Sequence, residues 1–381
     1  MRVLYLTPGC FDKGGISRYN RYQIAALREL CGHDAVDVYS VLGPGDDSFE
    51  APIDTRFAAG GLRKRDKARY LFEITQRVLR ARPGLVLAAH VNLSGIAHLL
   101  ARSVGATSVL NVYGSEVWSG FRPDARWGLE HVDHVVADCH FTARYIEGAG
   151  HRSAMSTSVV WDCVDLTHYA PGGVDRTVLE RYGIPDPSSG FNLLTLGRMS
   201  PDASHKGYDR LLEAFSRVAG ELPKARLVYA GRGGLIEVLR ARAAELGLAE
   251  RVYFTGMIRE EDMPAVYRSA HAFSLVSDRG PGRGEGIPLT PLEAAACGLP
   301  ILVGNHDGSQ EAIVDGRNGF VLDPFDLDAH AALIRRLVED DAERARLSVG
   351  AAEVAREVFS YERFREEHRV LLGRWRAGAA R

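Results

Sequence analysis

Glu285 and Glu293, with seven residues between them, follow glycines at 280, 282 and 284 and bracket Gly286-Ile287-Pro288-Leu289-Thr290-Pro291-Leu292. Before them, 272–276 reads as a short buried strand, and 301–303 reads as the next one. Strand, glycine loop, helix and strand make one βαβ unit. Its loop lies at the carboxyl end of a parallel strand, where open α/β sheets bind ligands. Thr290 suits the N-cap, Pro291 the first helical position and Gly298 the stop. The unpaired N–H groups and partial positive charge at such a helix start favour a phosphate. The glycines would let it approach the backbone closely. Two carboxylates beside an anion site need something else to face, and sugar hydroxyls can donate to both. A plainer reading stays open, because Thr290-x-x-Glu293 is also a capping box in which Glu293 bonds only the Thr290 backbone.

A second cluster follows the strand expected at 191–196. Arg198 stands in Gly197-Arg198-Met199-Ser200, and Lys206 follows eight positions later in His205-Lys206-Gly207. A guanidinium fork and an ammonium would stabilise a departing diphosphate without a metal. Basic residues in a loop are otherwise merely solvated. Gly231 opens Gly231-Arg232-Gly233-Gly234 after another strand, with spacing wrong for a dinucleotide fingerprint. Gly14 and Gly15 lie between the first strand and a helix at 16–30, where a tight turn is an equal reading.

The segment from Glu285 through Glu293 to Gly298-Leu299-Pro300 resembles the signature of retaining glycosyltransferases of family 4, which have the GT-B fold. The likeness continues in Asp307-Gly308-Ser309-Gln310-Glu311-Ala312-Ile313-Val314-Asp315-Gly316-Arg317-Asn318-Gly319-Phe320-Val321 and extends over nearly the whole chain. It implies transfer of a glycosyl group, with retention, from a nucleotide diphosphate sugar to a hydroxyl acceptor. No cofactor or metal is expected. On this resemblance Glu293 would hold the ribose hydroxyls and Glu285 the donor sugar. Arg198, Lys206 and the backbone at Gly286, Ile287, Leu289 and Thr290 would hold the diphosphate, with Gly231, Gly14 and Gly15 near the donor. The spacer 201–204 is longer than usual, which bears on the reach of Lys206. Tyr113, in Tyr113-Gly114-Ser115-Glu116, replaces the histidine of the family's His-Gly-x-Asp/Glu element. It can donate a hydrogen bond but cannot titrate near neutrality. Tyr113, Glu116 and His90 are the candidate sugar or acceptor contacts, although a lone histidine is more often structural. In Val160-Trp161-Asp162-Cys163-Val164-Asp165 only Val164 and Asp165 match the family's Pro-Asn-Gly-Val-Asp.

Strands expected at 3–6, 85–89, 108–112, 134–137 and 159–161 alternate with helices at 16–30, 68–80 and 141–148. A second series at 191–196, 226–230, 252–255, 272–276 and 301–303 alternates with helices at 208–219, 235–246 and 262–269. That pattern calls for two α/β, Rossmann-like domains with parallel sheets. We place an acceptor domain at 1–168, a proline- and glycine-rich linker at 169–190, a nucleotide-sugar domain at 191–358, and a C-terminal helix at 359–381. The GT-B likeness implies that the two domains face each other across a cleft and that this helix returns to the first domain.

The 381 residues carry a net charge of −2, which gives no general attraction to nucleic acid, and 46% hydrophobic content suits globular domains. Five scattered cysteines with no Cys-x-x-Cys pair argue against a zinc site or a disulfide framework and suit a reducing cytoplasm. No apolar run is long enough to span a bilayer. The run Arg63-Lys64-Arg65-Asp66-Lys67-Ala68-Arg69 is locally basic. The family likeness implies that this region faces a lipid-linked or phosphorylated acceptor, and the basic run itself is compatible with a peripheral contact with anionic lipid beside the reading of a solvated helix start. Two alternatives remain: a nucleotide-sugar epimerase of the same fold, and a non-catalytic nucleotide-sugar-binding protein.

Overall fold

Every residue of the first strand, Val3–Thr7, is buried, as a parallel strand covered on both faces requires. The computed structural model describes residues 1–46, 48–118, 120–152, 156–314 and 316–378; Asp315 of the motif above lies outside them. The chain divides into two compact units, Met1–Cys163 with Tyr361–Arg381, and Val164–Ser360.

The first unit is built on seven parallel strands: β1 Val3–Thr7, β2 Val36–Ser40, β3 Phe57–Ala58, β4 Leu85–Ala88, β5 Thr107–Val112, β6 His134–Ala137 and β7 Thr157–Val159. Their order is β3-β2-β1-β4-β5-β6-β7. Alternation along β1 divides the core. Leu4 and Leu6 meet Tyr70, Ile74 and Val78 of the helix Lys64–Ala81. Val3 and Tyr5 meet Leu27 of the helix Gly15–Cys31 and Phe364, Leu371, Leu372 and Trp375 of the last helix, Tyr361–Gly378. The C-terminal helix thus belongs to the first unit.

The second unit has six parallel strands: β8 Phe191–Leu196, β9 Ala225–Ala230, β10 Val252–Gly256, β11 Ala272–Leu275, β12 Ile301–Gly304 and β13 Gly319–Leu322. Their order is β10-β9-β8-β11-β12-β13. In each sheet the first strand lies beside the fourth. The loops leaving β1 and β4, and those leaving β8 and β11, therefore open around a switch point, the ligand end of a doubly wound sheet.

Residues 169–190 are not a free joint. They lie inside the second unit and contain the helix Arg176–Tyr182, capped by Asp175. Arg181 Nη1 and Tyr182 Oη each lie 2.7 Å from Asp262 Oδ2. Their proline and glycine content signals turns, but these bonds tie the turns to the domain. The boundaries fall instead at 163/164 and 360/361. No helix among the described residues is long and apolar enough to cross a membrane.

A buried polar network fixes the last helix. The Gln23 amide donates to His368 Nε2 at 2.8 Å, and His368 Nδ1 lies 2.8 Å from the Phe364 carbonyl. Gln23 Oε1 accepts from Tyr5 Oη at 2.8 Å and from Asn111 Nδ2 at 2.5 Å. Burial pushes the His368 imidazole down to about 4. The folded value is depressed below the ordinary one near 6.5, so the stability it contributes is complete above that value and is lost as pH falls towards 4. We expect urea unfolding of the first unit to weaken across this window with a His368 contribution of up to about 1.4 kcal/mol per pH unit. His368→Gln should remove that slope; an unchanged slope would refute the role.

Candidate active site

At the carboxyl end of β8 the chain turns outward through Gly197 and Arg198, then forms the short 3-10 segment Pro201–Lys206. The long spacer is thus folded, and it delivers His205 and Lys206 to Glu285 from the loop after β11. Lys206 Nζ lies 2.6 Å from Glu285 Oε1, and His205 Nε2 lies 2.8 Å from the same oxygen. The Glu285 side chain is 18% exposed. Burial alone would raise its pKa, but the Lys206 ammonium and the two donors on Oε1 outweigh that and hold the carboxyl at about 2. Its backbone is braced as well. Asp307 Oδ2 accepts the Glu285 N–H at 2.9 Å, and the Gly308 N–H donates to the Glu285 carbonyl at 3.0 Å. Asp307 is fully buried and also accepts from Ser277 Oγ and the Ser309 N–H; burial raises its pKa.

The helix behind Glu285 runs Leu289–Ala296, with Pro288 at the N-cap. Thr290 is therefore inside the first turn and is not the cap. Pro288 takes the extended cap conformation, and Pro291 is tolerated in a turn whose N–H groups lack intrahelical acceptors. The amides of Leu289 and Thr290 belong to that turn, and the Ile287 and Leu289 side chains are buried. Thr290 Oγ1 is buried with no hydrogen-bond partner. The helix ends in a Schellman motif. Gly298, at φ 84°, donates to Ala295, and Leu299 donates to Ala294. Glu293 is 3% exposed, and its Oε2 accepts from Tyr267 Oη at 2.7 Å.

Arg198 is not brought to Glu285. It is exposed and paired with Asp202 at 2.9 Å. Gly231, at φ 126°, is needed for packing: a Cβ there would stand 2.1 Å from the Gly197 carbonyl oxygen.

In the first unit, Gly14 is the N-cap of its helix and donates to Asp12 Oδ1 at 2.9 Å, while Gly15 has open space beside it. Tyr113 and Glu116 turn inward. Tyr113 is 8% exposed and donates its hydroxyl to Asn20 Oδ1 at 2.7 Å, inside the polar network. Glu116 turns back to accept the Tyr113 N–H at 2.5 Å. Burial pushes its carboxyl up to about 7, and Oε2 is sealed without a partner. His90, at the end of β4, accepts the Asn92 N–H on Nδ1 at 3.1 Å and caps a turn; burial lowers its pKa. Among the described residues, no group of three or more His, Cys, Asp or Glu could hold a metal ion.

Residues 186–354 match the family model "Glycosyl transferases group 1", and 14–157 match "Glycosyl transferase 4-like domain". D-inositol 3-phosphate glycosyltransferase of Geodermatophilus obscurus is 31% identical over 93% of this chain and 84% of its own. The chain belongs to glycosyltransferase family 4, with the GT-B fold. A second relative is the GDP-mannose-dependent α-(1-6)-phosphatidylinositol monomannoside mannosyltransferase of Mycolicibacterium smegmatis. It is 32% identical over 66% of each chain, so the match spans just under two thirds of that protein. Among solved structures, Anabaena HepE in complex with UDP superposes with a TM-score of 0.79 at 18% identity, covering 98% of this chain and all of its own. Sucrose-phosphate synthase of Thermosynechococcus elongatus gives 0.76 at 20%, covering 99% and 100%. At these identities the superpositions speak for the fold.

Sequence reasoning missed three residues of the candidate site: His205, Asp307 and Tyr267. His205 was visible beside Lys206. Asp307 was visible as the start of an Asp-Gly turn, but its partner, the Glu285 amide, is 22 positions away. The inward turn of Glu116 yields a prediction. Its folded pKa is raised, so stability is lost as pH rises from the ordinary carboxyl range to 7. Glu116→Gln should stabilise the first unit at about pH 8, by a margin that grows up to about 1.4 kcal/mol per pH unit across that window and is absent at about pH 4. Urea unfolding at both values checks this; the same margin at each would refute the buried carboxyl.

Proposed function

We propose that this glycosyltransferase moves a sugar, with retention, from a nucleotide diphosphate sugar to a hydroxyl acceptor, without a metal. One observation carries the reading. Glu285 has Oε1 held by a cation and an imidazole, while its Oε2 makes no hydrogen bond among the described residues, beside the first turn of Leu289–Ala296. Oε2 is an acceptor for a donor-sugar hydroxyl. The helix start and Lys206 oppose the diphosphate as charge develops on it. The Lys206 ammonium has three N–H donors, and Glu285 takes one. Arg198 joins them by leaving Asp202, a surface pair worth only ~0.2–1 kcal/mol. Glu293 serves the ribose, its position set by Tyr267. Departing phosphate oxygen takes the acceptor proton in a front-face substitution.

The relatives named for GDP-mannose and for inositol phosphate make GDP-mannose the first donor to try and a phosphorylated polyol the first acceptor, with UDP-glucose as comparison. Lys206→Ala and Glu285→Gln should each lower kcat/KM by about a hundredfold. Glu293→Ala should weaken nucleotide binding in calorimetry; unchanged affinity with reduced stability alone would assign it a purely structural role. Activity should survive a chelator. Its abolition, with recovery on adding a divalent ion, would overturn the metal-free reading, and NMR of the product anomer tests retention.

The first unit supports a lipid-facing acceptor. Leu71, Phe72 and Leu79 of Lys64–Ala81 are 44%, 59% and 58% exposed, and Lys64, Arg65, Lys67, Arg69 and Arg80 are exposed on the same helix. Co-sedimentation with vesicles containing phosphatidylserine should exceed that with phosphatidylcholine alone and fall in Leu71→Ser/Phe72→Ser. Equal sedimentation with both would remove the membrane contact.

A further inference from the structure

Glu285 Oε1 takes two donors while Oε2 takes none among the described residues. One would suffice to neutralise the carboxylate, and Lys206, a full cation at 2.6 Å, already does so. The second donor therefore contributes direction. A carboxylate held by one ammonium on a flexible stem can rotate about its last bond and exchange its oxygens; a second donor from a rigid ring removes that freedom. His205 is suited to this. It is 8% exposed and lies in the 3-10 segment Pro201–Lys206. Its carbonyl accepts the Asp278 N–H at 2.8 Å and Arg210 Nη2 at 3.2 Å, so its backbone is fastened to the loop after β11. Because Glu285 accepts, the proton on the facing nitrogen is Nε2–H, and Nδ1 is buried with no partner. The other nitrogen thus offers no competing contact that would turn the ring.

We infer that His205 is a positioning residue for the transferase reaction: it locks Oε1 of Glu285 inward so that Oε2 faces the donor sugar, leaving Lys206 free to serve the diphosphate with its remaining N–H groups. This rests on the reading of Glu285 given under Proposed function. It specifies a distance along the side chain. A glutamine amide nitrogen reaches about as far as Nε2, whereas an asparagine amide nitrogen reaches only as far as Nδ1 and stops short of Glu285.

The test compares His205→Gln, His205→Asn, His205→Leu and Glu285→Gln in the full chain. Readouts are kcat/KM with GDP-mannose and UDP-glucose, and calorimetric affinity for GDP and UDP beside that for the intact nucleotide sugars. His205→Asn and His205→Leu should lose about tenfold to a hundredfold in kcat/KM and bind the sugar nucleotides more weakly, as expected for a misplaced contact group. Their affinity for GDP or UDP should stay within about twofold, because the imidazole touches only the sugar-side carboxylate. His205→Gln should recover most of the loss. In a Glu285→Gln background, His205→Leu should add little, since both act through one contact. The inference is overturned if Gln and Asn are equally impaired, if nucleotide affinity falls in step with activity, or if His205→Leu is silent while Glu285→Gln is not. A silent Glu285→Gln would instead refute the underlying reading of the site. Should His205→Leu fail to fold, the Gln and Asn pair still decides the matter.

Discussion

A carboxylate kept charged in a largely enclosed place is the constraint around which the ligand end of the second unit is arranged. Removing Glu285 from water alone would cost on the order of several kcal/mol. An adjacent ammonium, an imidazole and a braced backbone offset that cost, and they come from two loops on either side of the switch point between β8 and β11. Each depends on the others. Pro201–Lys206 must fold as a turn for two successive side chains to reach one oxygen. Asp307 must be buried, with its charge taken up by amide and hydroxyl donors, to hold the Glu285 amide. The close approach of Gly231 to the Gly197 carbonyl sets where the turn begins.

Much of this was readable in the chain. Strands 134–137 and 191–196 and the helix 208–219 have the bounds expected from apolar runs and amphipathic spacing. Three strands were not readable. Val36–Ser40 carries Asp37, Phe57–Ala58 is two residues long, and Gly319–Leu322 opens on a glycine whose Cβ would stand 1.8 Å from the Ile301 carbonyl oxygen. Each is a strand because a neighbour offers it a ladder, a tertiary cause that local propensity does not record. The helix start at Leu289 was misjudged for a related reason. Thr290 has the better intrinsic cap chemistry, but the chain enters extended at Pro288, and the helix begins there.

In the first unit the sequence named the residue types at the ligand end but not their directions. Tyr113 was placed correctly in the chain after β5, yet a phenol is long enough to reach Asn20 of the helix Gly15–Cys31, and satisfying its hydroxyl there avoids an unpaired buried group. Glu116 then folds back onto the Tyr113 amide. Tyr113 is thereby a strut between β5 and the helix Gly15–Cys31. That strut shares its polar network with His368, so one helix far along the chain stands under the loop containing Gly14 and Gly15.

The two-part make-up of the first unit sets an order of events during synthesis. Residues 361–378 leave the ribosome after the whole of Val164–Ser360. Until then Val3, Tyr5, Leu27 and Gln23 lack the cover that Phe364, His368 and Trp375 supply. The unit encoded first is therefore completed last, while the second, continuous in the chain, can close as soon as it emerges. A nascent chain halted before residue 361 would display an apolar sheet face, the kind of surface that holding chaperones recognise.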